Sequence, residues 1–412
     1  MTQRKTFVLI GLFRIMIAES ILSDEQKAIK EAAREFAEKE FPSYAEEYDR
    51  EEKYPFELWK KAAELGFIGM NIPEKYGGQG LGILDTCLVV EEFWRIDGGL
   101  GLIMASTFGS EQILMFGSEE QKEKYLPPLA QGKAICAACY TEPHAGSDVA
   151  GIKTRAEKDG DEYVINGTKM FITNGTIADF YIVLARTDPN PAKRHHGMSV
   201  FIVEKDTPGV EAKKLENKLG IRASDTAEVV FKNVRVPEEN LVGQEGQGFY
   251  QTMMFFNVTR IPVAFQAVGL ATGAFELAFN YAKNRELFER RLIDFQVTQE
   301  KLARMRTELE AARLLAYQAA YFQDKRGMPD PGLTAMAKYY TARVAQEIVH
   351  EALQIYGGYG FMGEQAISRM FRDARILEIY EGTREVEIEV IARSLTGAIP
   401  SVLGAVRKHP LM

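Results

Sequence analysis

The hydrophobic period changes twice along this chain, and that pattern points to a sheet set between two helical regions. From Ser23 to about Gln131 apolar residues recur at helical spacing. Capping-box signatures mark two helix starts, Ser23-Asp24-Glu25-Gln26 and Ser118-Glu119-Glu120-Gln121. YPFELWKKAAELGF and LDTCLVVEEFWRI are also amphipathic, with the glycine-rich turn IPEKYGGQGLG between them. From about Ala134 to Gly243 the pattern shortens to alternating runs bounded by Gly, Pro, Asn or Asp: DEYVINGTKMFITNG, FYIVLARTD, GMSVFIVEKD and AEVVFKNVRVP. Asn166-Gly167 inside the first of these predicts a hairpin turn. Long helices then return, predicted over Phe249 to Asn284, Gln296 to Lys325 and Leu333 to Tyr356, with a shorter one beyond.

At 412 residues the chain exceeds what one core supports. The expected units are an N-terminal extension over 1–20, a helical domain over 21–135, a β domain over 136–246 and a helical domain over 247–412. A net charge of −8, with no basic block, argues against nucleic acid as a partner. Three cysteines leave an odd thiol and indicate a reducing compartment. MTQRKTFVLIGLFRIMIAES has a basic start and an apolar run interrupted by Arg14, too short to span a bilayer. We read it as an extension on a cytoplasmic protein, with an organelle-matrix transit segment as the alternative.

Three motifs imitate chemistry. Cys136-Ala-Ala-Cys139 has metal or redox spacing, but on a strand residues three apart face opposite ways, and no second ligand pair lies nearby. Glu347-Ile-Val-His350 matches one half of a di-iron carboxylate site and finds no second ExxH, so no metal is expected. Gly358-Tyr-Gly-Phe-Met-Gly363 satisfies GxGxxG but follows a long helix rather than a strand. It reads either as a helix-ending turn or as a cofactor contact of another kind. His144, His195 and His196 lie in loops with no nucleophile beside them.

TEPHAGSD is a loop of turn formers whose amides and hydroxyls suit a phosphate or a polar cofactor edge. Taken in order with INGTKMFITNG, RELFERRLIDFQ, QIYGGYGFMGE and IYEGT, it resembles the acyl-CoA dehydrogenase family over about residues 21 to 396. That resemblance implies a mainly α fold with a central β domain: an N-terminal helical domain, an antiparallel β-barrel-like middle domain and a C-terminal four-helix bundle. It also implies FAD, an acyl-CoA substrate, an electron-transferring flavoprotein as partner, and a homo-oligomer built as a dimer of dimers.

The family's site residues carry over by position. Tyr140, Thr141, Gly146 and Ser147 match the loop along FAD, with Ser147 also near the CoA chain. Phe171, Ile172 and Thr173 match the segment on the isoalloxazine ring, with Phe171 where Trp is common. Arg285 and Phe288 match the motif that reaches the FAD of a neighbouring subunit, although Glu289 stands where Gly often follows. Gln296, Gln354, Gly357 and Gly358 match further flavin contacts, and Thr383 and Glu385 are expected to face the flavin. On the substrate side Asn257, Arg260, Tyr380 and Gly382 match. Some members carry the catalytic Glu just before the Arg of FFNVTRIP; here that residue is Thr259, so the resemblance places the base at Glu381.

The implied reaction is α,β-dehydrogenation of an acyl-CoA thioester. Glu381 takes the α-proton, flavin N5 takes the β-hydride, and the Glu381 N–H with a ribityl hydroxyl binds the thioester oxygen. Gly382 is then expected to let substrate and flavin approach the backbone, which would explain a residue that costs a helix about 1 kcal/mol. The helix with Glu91, Glu92, Arg95 and Asp97 is expected to line part of the acyl pocket. Gly101 stands where glutaryl-CoA dehydrogenases carry Arg, which disfavours a dicarboxylyl substrate. A short- or medium-chain acyl group is expected. An alicyclic one, with Asp97 as a second carboxylate, is an alternative, as is a flavin oxidase or monooxygenase on the same scaffold.

Overall fold

A computed structural model of the protein describes residues 21–190 and 193–397. The extension expected over 1–20 lies outside them. Helices α1 (Asp24–Glu40), α2 (Ala45–Glu51), α3 (Phe56–Glu64), α4 (Ile83–Ile96), α5 (Gly98–Gly101), α6 (Ser110–Phe116) and α7 (Glu119–Ala130) form the first region. Both capping boxes are present: Gln26 N donates to Ser23 Oγ and Gln121 N to Ser118 Oγ, and each Gln side chain accepts from the cap amide in return.

The sheet follows: β1 (Cys136–Cys139), β2 (Arg155–Asp159), β3 (Glu162–Thr173), β4 (Phe180–Arg186), β5 (Met198–Glu204), β6 (Val210–Lys214), β7 (Thr226–Pro237) and β8 (Leu241–Val242). The strands run β6-β7-β3-β2-β4-β5-β8, with β1 added beside β4. Most pairings are antiparallel, as expected, but β4 has two parallel neighbours: β1, with Cys136 opposite Phe180, and β2, with Arg155 opposite Arg186. Parallel neighbours need a crossover, and the one from β1 to β4 contains the TEPHAGSD loop and the β2–β3 hairpin. Cys136 and Cys139 pack into different cores, one under the N-terminal helices and one on the other side of the sheet.

The hairpin expected at Asn166-Gly167 is not there. β3 runs through both residues, and the turn falls at Gly160-Asp161, where Asp159 pairs with Glu162. Gly167 instead sits at a register shift against β7. A Cβ there would lie 2.6 Å from Cβ of Thr154, so the glycine serves a close approach rather than a turn.

The last region holds α8 (Gly248–Asn284), the ribbon β9 (Glu286–Leu287) and β10 (Arg290–Arg291), then α9 (Gln296–Arg326), α10 (Pro331–Tyr356), α11 (Ala366–Ala374) and α12 (Arg384–Leu395). α10 starts on Pro331 with Asp330 Oδ1 accepting from Leu333 N at 2.8 Å. α8 is long and apolar enough to cross a membrane, but most of that stretch is buried in the bundle with α4, α9 and α10.

Candidate active site

The IYEGT stretch is not a helix. A tight turn ends at Glu378, α12 starts at Arg384, and the residues between are free to take other backbone angles. Glu381 has φ +54° and Gly382 φ +106°. A left-handed Glu costs roughly 1–3 kcal/mol and persists only where the surroundings enforce it. Here they do. Arg260 Nε, from α8, donates to the Glu381 carbonyl at 2.9 Å, and Lys338 Nζ, from α10, donates to the Gly382 carbonyl. Thr383 Oγ1 accepts from Val386 N and caps α12.

The Glu381 side chain is half-buried and accepts from Thr259 Oγ1 at 2.6 Å. Burial raises its pKa to about 7, against the lowering pull of Thr259, Arg260 and Lys338. Thr259, at the position that some family members give to the catalytic Glu, thus orients the Glu381 carboxyl from the neighbouring helix. Within the described residues the Glu381 N–H donates to no group of the chain. Asn257 Oδ1 accepts from Arg260 Nη1 at 3.3 Å, and the Tyr380 hydroxyl donates to Gln266.

Gly382 has a different reason from the one expected. A Cβ on it would fall inside Glu387 Oε1 and 3.1 Å from Arg260 Nη2. Glu387 is fully buried, 2.9 Å from Arg260 Nε. The glycine makes room for a buried ion pair of the protein itself.

A second group of residues gathers around the TEPHAGSD loop. Thr141 is half-buried while Gly146 and Ser147 are exposed, and their amides donate to no group among the described residues. Tyr140 is buried, its ring against Phe255 and Phe256. Phe171 stands 67% exposed at φ +61°, beside a register shift that turns it outward, whereas Ile172 packs inward and can present only its backbone. Thr173 is half-buried at the strand end.

A third group lies on the bundle surface. Arg285, Gly357 and Gly358 line one recess with Tyr359, whose ring sits 5.8 Å from the Arg285 guanidinium. Phe288 is 84% exposed at the tip of the β9–β10 ribbon, where it and Glu289 both take positive φ. The turn therefore forms without the usual glycine. Gln296 and Gln354 are exposed at helix ends, and Glu385 is exposed and paired with Arg384.

Comparison with known proteins decides what these groups belong to. Residues 23–133, 137–234 and 246–396 match the acyl-CoA dehydrogenase N-terminal, middle and C-terminal domains. A short-chain-specific acyl-CoA dehydrogenase of Clostridium acetobutylicum is 43% identical, over 90% of this chain and 98% of its own. The chain belongs to the acyl-CoA dehydrogenase family. Butyryl-CoA dehydrogenase of Megasphaera elsdenii superposes with TM-score 0.88 at 42% identity, covering 91% of this chain and 99% of that one. A chain solved in work on the electron-transferring flavoprotein of Acidaminococcus fermentans superposes with TM-score 0.88 at 44% identity, covering 91% and 98%.

As an acyl-CoA dehydrogenase the protein is an FAD-dependent oxidoreductase. Its residues fit that cofactor: amides at Thr141, Gly146 and Ser147 that meet no acceptor among the described residues, an outward-facing Phe171, and open space around Gly357 and Gly358, where an added Cβ meets nothing within 4 Å.

Besides Lys338 and Glu387, an ion pair and a further carboxylate near the site were missed in the sequence. Glu142 and Lys169 form a buried ion pair at 2.9 Å that carries the TEPHAGSD loop. Glu142 also accepts from Lys153 N and Thr154 N, and Lys169 donates to the Tyr140 carbonyl. Their only signal was a carboxylate in the loop after β1 and an ammonium at an inward-facing position of β3. Glu111, at the start of α6, accepts from Gly109 N; burial raises its pKa to about 6, and its charge acts on Glu381.

Asp97 is neither a pocket carboxylate nor a solvated helix end. It is buried, caps α5 through Leu100 N at 3.0 Å and pairs with Arg369 at 3.2 Å. Glu91 pairs with Lys30 and Arg313, and Glu92 with Arg34 and Arg95, so these side chains bind the helices together. At Gly101 a Cβ would lie 2.7 Å from the Trp94 ring, which leaves no room for an arginine. Glu347 and His350 are exposed.

Proposed function

We propose that the protein dehydrogenates a short- or medium-chain acyl-CoA at its α,β bond, with Glu381 as the base and an electron-transferring flavoprotein as electron acceptor. The Glu381 carboxyl carries this reading: it is half-buried, oriented by Thr259 and brought by burial to a pKa of about 7. A thioester α-proton is a weak acid, so a carboxylate serves best when its basicity is raised but it still ionises near neutral pH. The unpartnered N–H of Glu381 is available to the thioester oxygen, where it would stabilise developing negative charge. FAD, when bound, supplies the hydride acceptor at N5 for the β-hydrogen.

Bulk beside the base supports a short acyl chain. Phe108, Tyr140 and Phe256 pack around Phe255, one helical turn from Thr259. The names of the Clostridium and Megasphaera relatives agree with this, and the Acidaminococcus structure supports the choice of acceptor. The occupied Asp97 removes the second carboxylate on which the alicyclic alternative relied. The exposed aromatics Phe288, Tyr359 and Phe361 support a homo-oligomer in which these tips are covered.

Anaerobic bleaching of the bound flavin by straight-chain, alicyclic and dicarboxylyl acyl-CoA thioesters tests the proposal. Short and medium straight chains are expected to bleach it, and Glu381→Gln to retain FAD without bleaching. Substantial activity in that variant would sink the assignment of the base. Peroxide release on admitting oxygen during turnover would identify an oxidase instead.

A further inference from the structure

Two buried cations hold consecutive carbonyls of the base's own turn. Arg260 donates to the carbonyl of Glu381 and Lys338 to that of Gly382. Both cations are almost fully buried, Arg260 6% and Lys338 1% exposed. A buried ammonium needs a counter-ion, and the candidate lies directly beneath the turn. Glu387 is 0% exposed, 2.9 Å from Arg260 Nε, and among the described residues neither of its oxygens receives an aligned hydrogen bond. Burial pushes the Glu387 pKa up and the Arg260 and Lys338 charges pull it partly back down, so its place in the cluster is that of their ion partner.

We propose that Lys338 and Glu387 are positioning residues for the dehydrogenation: with Arg260 they form a clamp of two cations and one carboxylate that fixes the left-handed Glu381-Gly382 turn and sets the strength of the base. The clamp rests on Glu381 acting as that base. Its geometry explains the glycine, since only a residue without Cβ fits above Glu387. It also couples three helices to the turn: α8 through Arg260, α10 through Lys338 and α12 through Glu387.

The electrostatics have a definite sign. Glu381 faces Thr259 and Arg260 of α8, Lys338 of α10, Glu111 of α6, and the hydroxyls of Tyr140 and Tyr380. Lys338 faces Glu387, Arg260, Glu381 and Glu378. Lys338 favours the ionised form of Glu381, and Glu387 favours the charged form of Lys338. Burial brings Lys338 to a pKa of about 8, so without Glu387 it would lose its charge near neutral pH.

The test is a double-mutant cycle on the FAD-loaded protein, read in two ways. The first is the Glu381 carboxyl titration, followed by infrared difference against Glu381→Gln with no acyl-CoA present. The second is the pH profile of flavin bleaching by butyryl-CoA. Lys338→Met is expected to move the Glu381 midpoint up by about one pH unit, because an opposite charge near the carboxylate is lost. Glu387→Gln is expected to move the alkaline limb of bleaching, set by Lys338, to lower pH. The double variant removes one charge of each sign and is expected to bleach faster than either single variant.

Additive losses in the double variant, or an unmoved Glu381 midpoint in Lys338→Met, would overturn the clamp. If Lys338→Met does not fold, the Glu387→Gln limb decides: no movement rejects the proposal. Because the infrared titration involves no turnover, a wild-type protein that fails to bleach would reject the proposed reaction without affecting this measurement.

Discussion

Replacing Glu381 by Gln should make the protein more stable, by an amount that depends on pH. Folding raises this carboxyl from 4.5 to about 7, chiefly by burial. Below pH 4.5 it is protonated in folded and unfolded chains alike, and the displacement costs nothing. Between 4.5 and about 7 the unfolded chain ionises first, so the folded state loses stability as pH rises. Above 7 the loss is constant. At about 1.4 kcal/mol per pH unit the full loss is about 3.5 kcal/mol, most of it between pH 5 and pH 8. Gln cannot ionise, and its side-chain oxygen still accepts from Thr259 Oγ1, so the variant escapes the penalty without giving up the hydrogen bond. Urea unfolding of both proteins at pH 5 and pH 8, with FAD at the same saturating concentration, should show the variant gaining about 2–3 kcal/mol on wild type over that interval. A stability difference that stays constant from pH 5 to pH 8 would refute the raised pKa and, with it, the argument that burial prepares the base. The cost is consistent with a functional site that gives up stability for reactivity.

Two further outcomes follow from the packing. Gly382→Ala should destabilise the protein by more than the roughly 1 kcal/mol of its left-handed backbone, since its Cβ would displace Glu387; urea unfolding and the rate of flavin bleaching should fall together. Lys169→Met leaves Glu142 buried without its cation and should cost about 3–5 kcal/mol, with loss of bound FAD measured by the visible flavin absorbance as the loop detaches.

Legibility in the sequence followed the range of the interaction. The capping boxes at Ser23 and Ser118 formed as written, because a cap is satisfied within four residues. Asn166-Gly167 misled for the complementary reason: a dipeptide that favours a tight turn was held in an extended strand by Thr154 behind it and β7 beside it. Glu142 with Lys169 could not be recognised as a pair, since 27 residues separate them and one looks like an ordinary loop carboxylate, the other like an isolated charge in a strand. Asp97 was misplaced because its partner, Arg369, comes 272 residues later.

The proposed base shows the division most clearly. Sequence alone determined the helical, β, helical order through its two changes of period, and the resemblance of IYEGT and FFNVTRIP to the acyl-CoA dehydrogenase motifs pointed to Glu381. Only the tertiary structure decided why Gly382 follows it and what makes Glu381 basic. Both answers depend on burial and on charges brought from α8, α10 and α12 to one turn, and neither burial nor a contact across more than a hundred residues is written in local pattern.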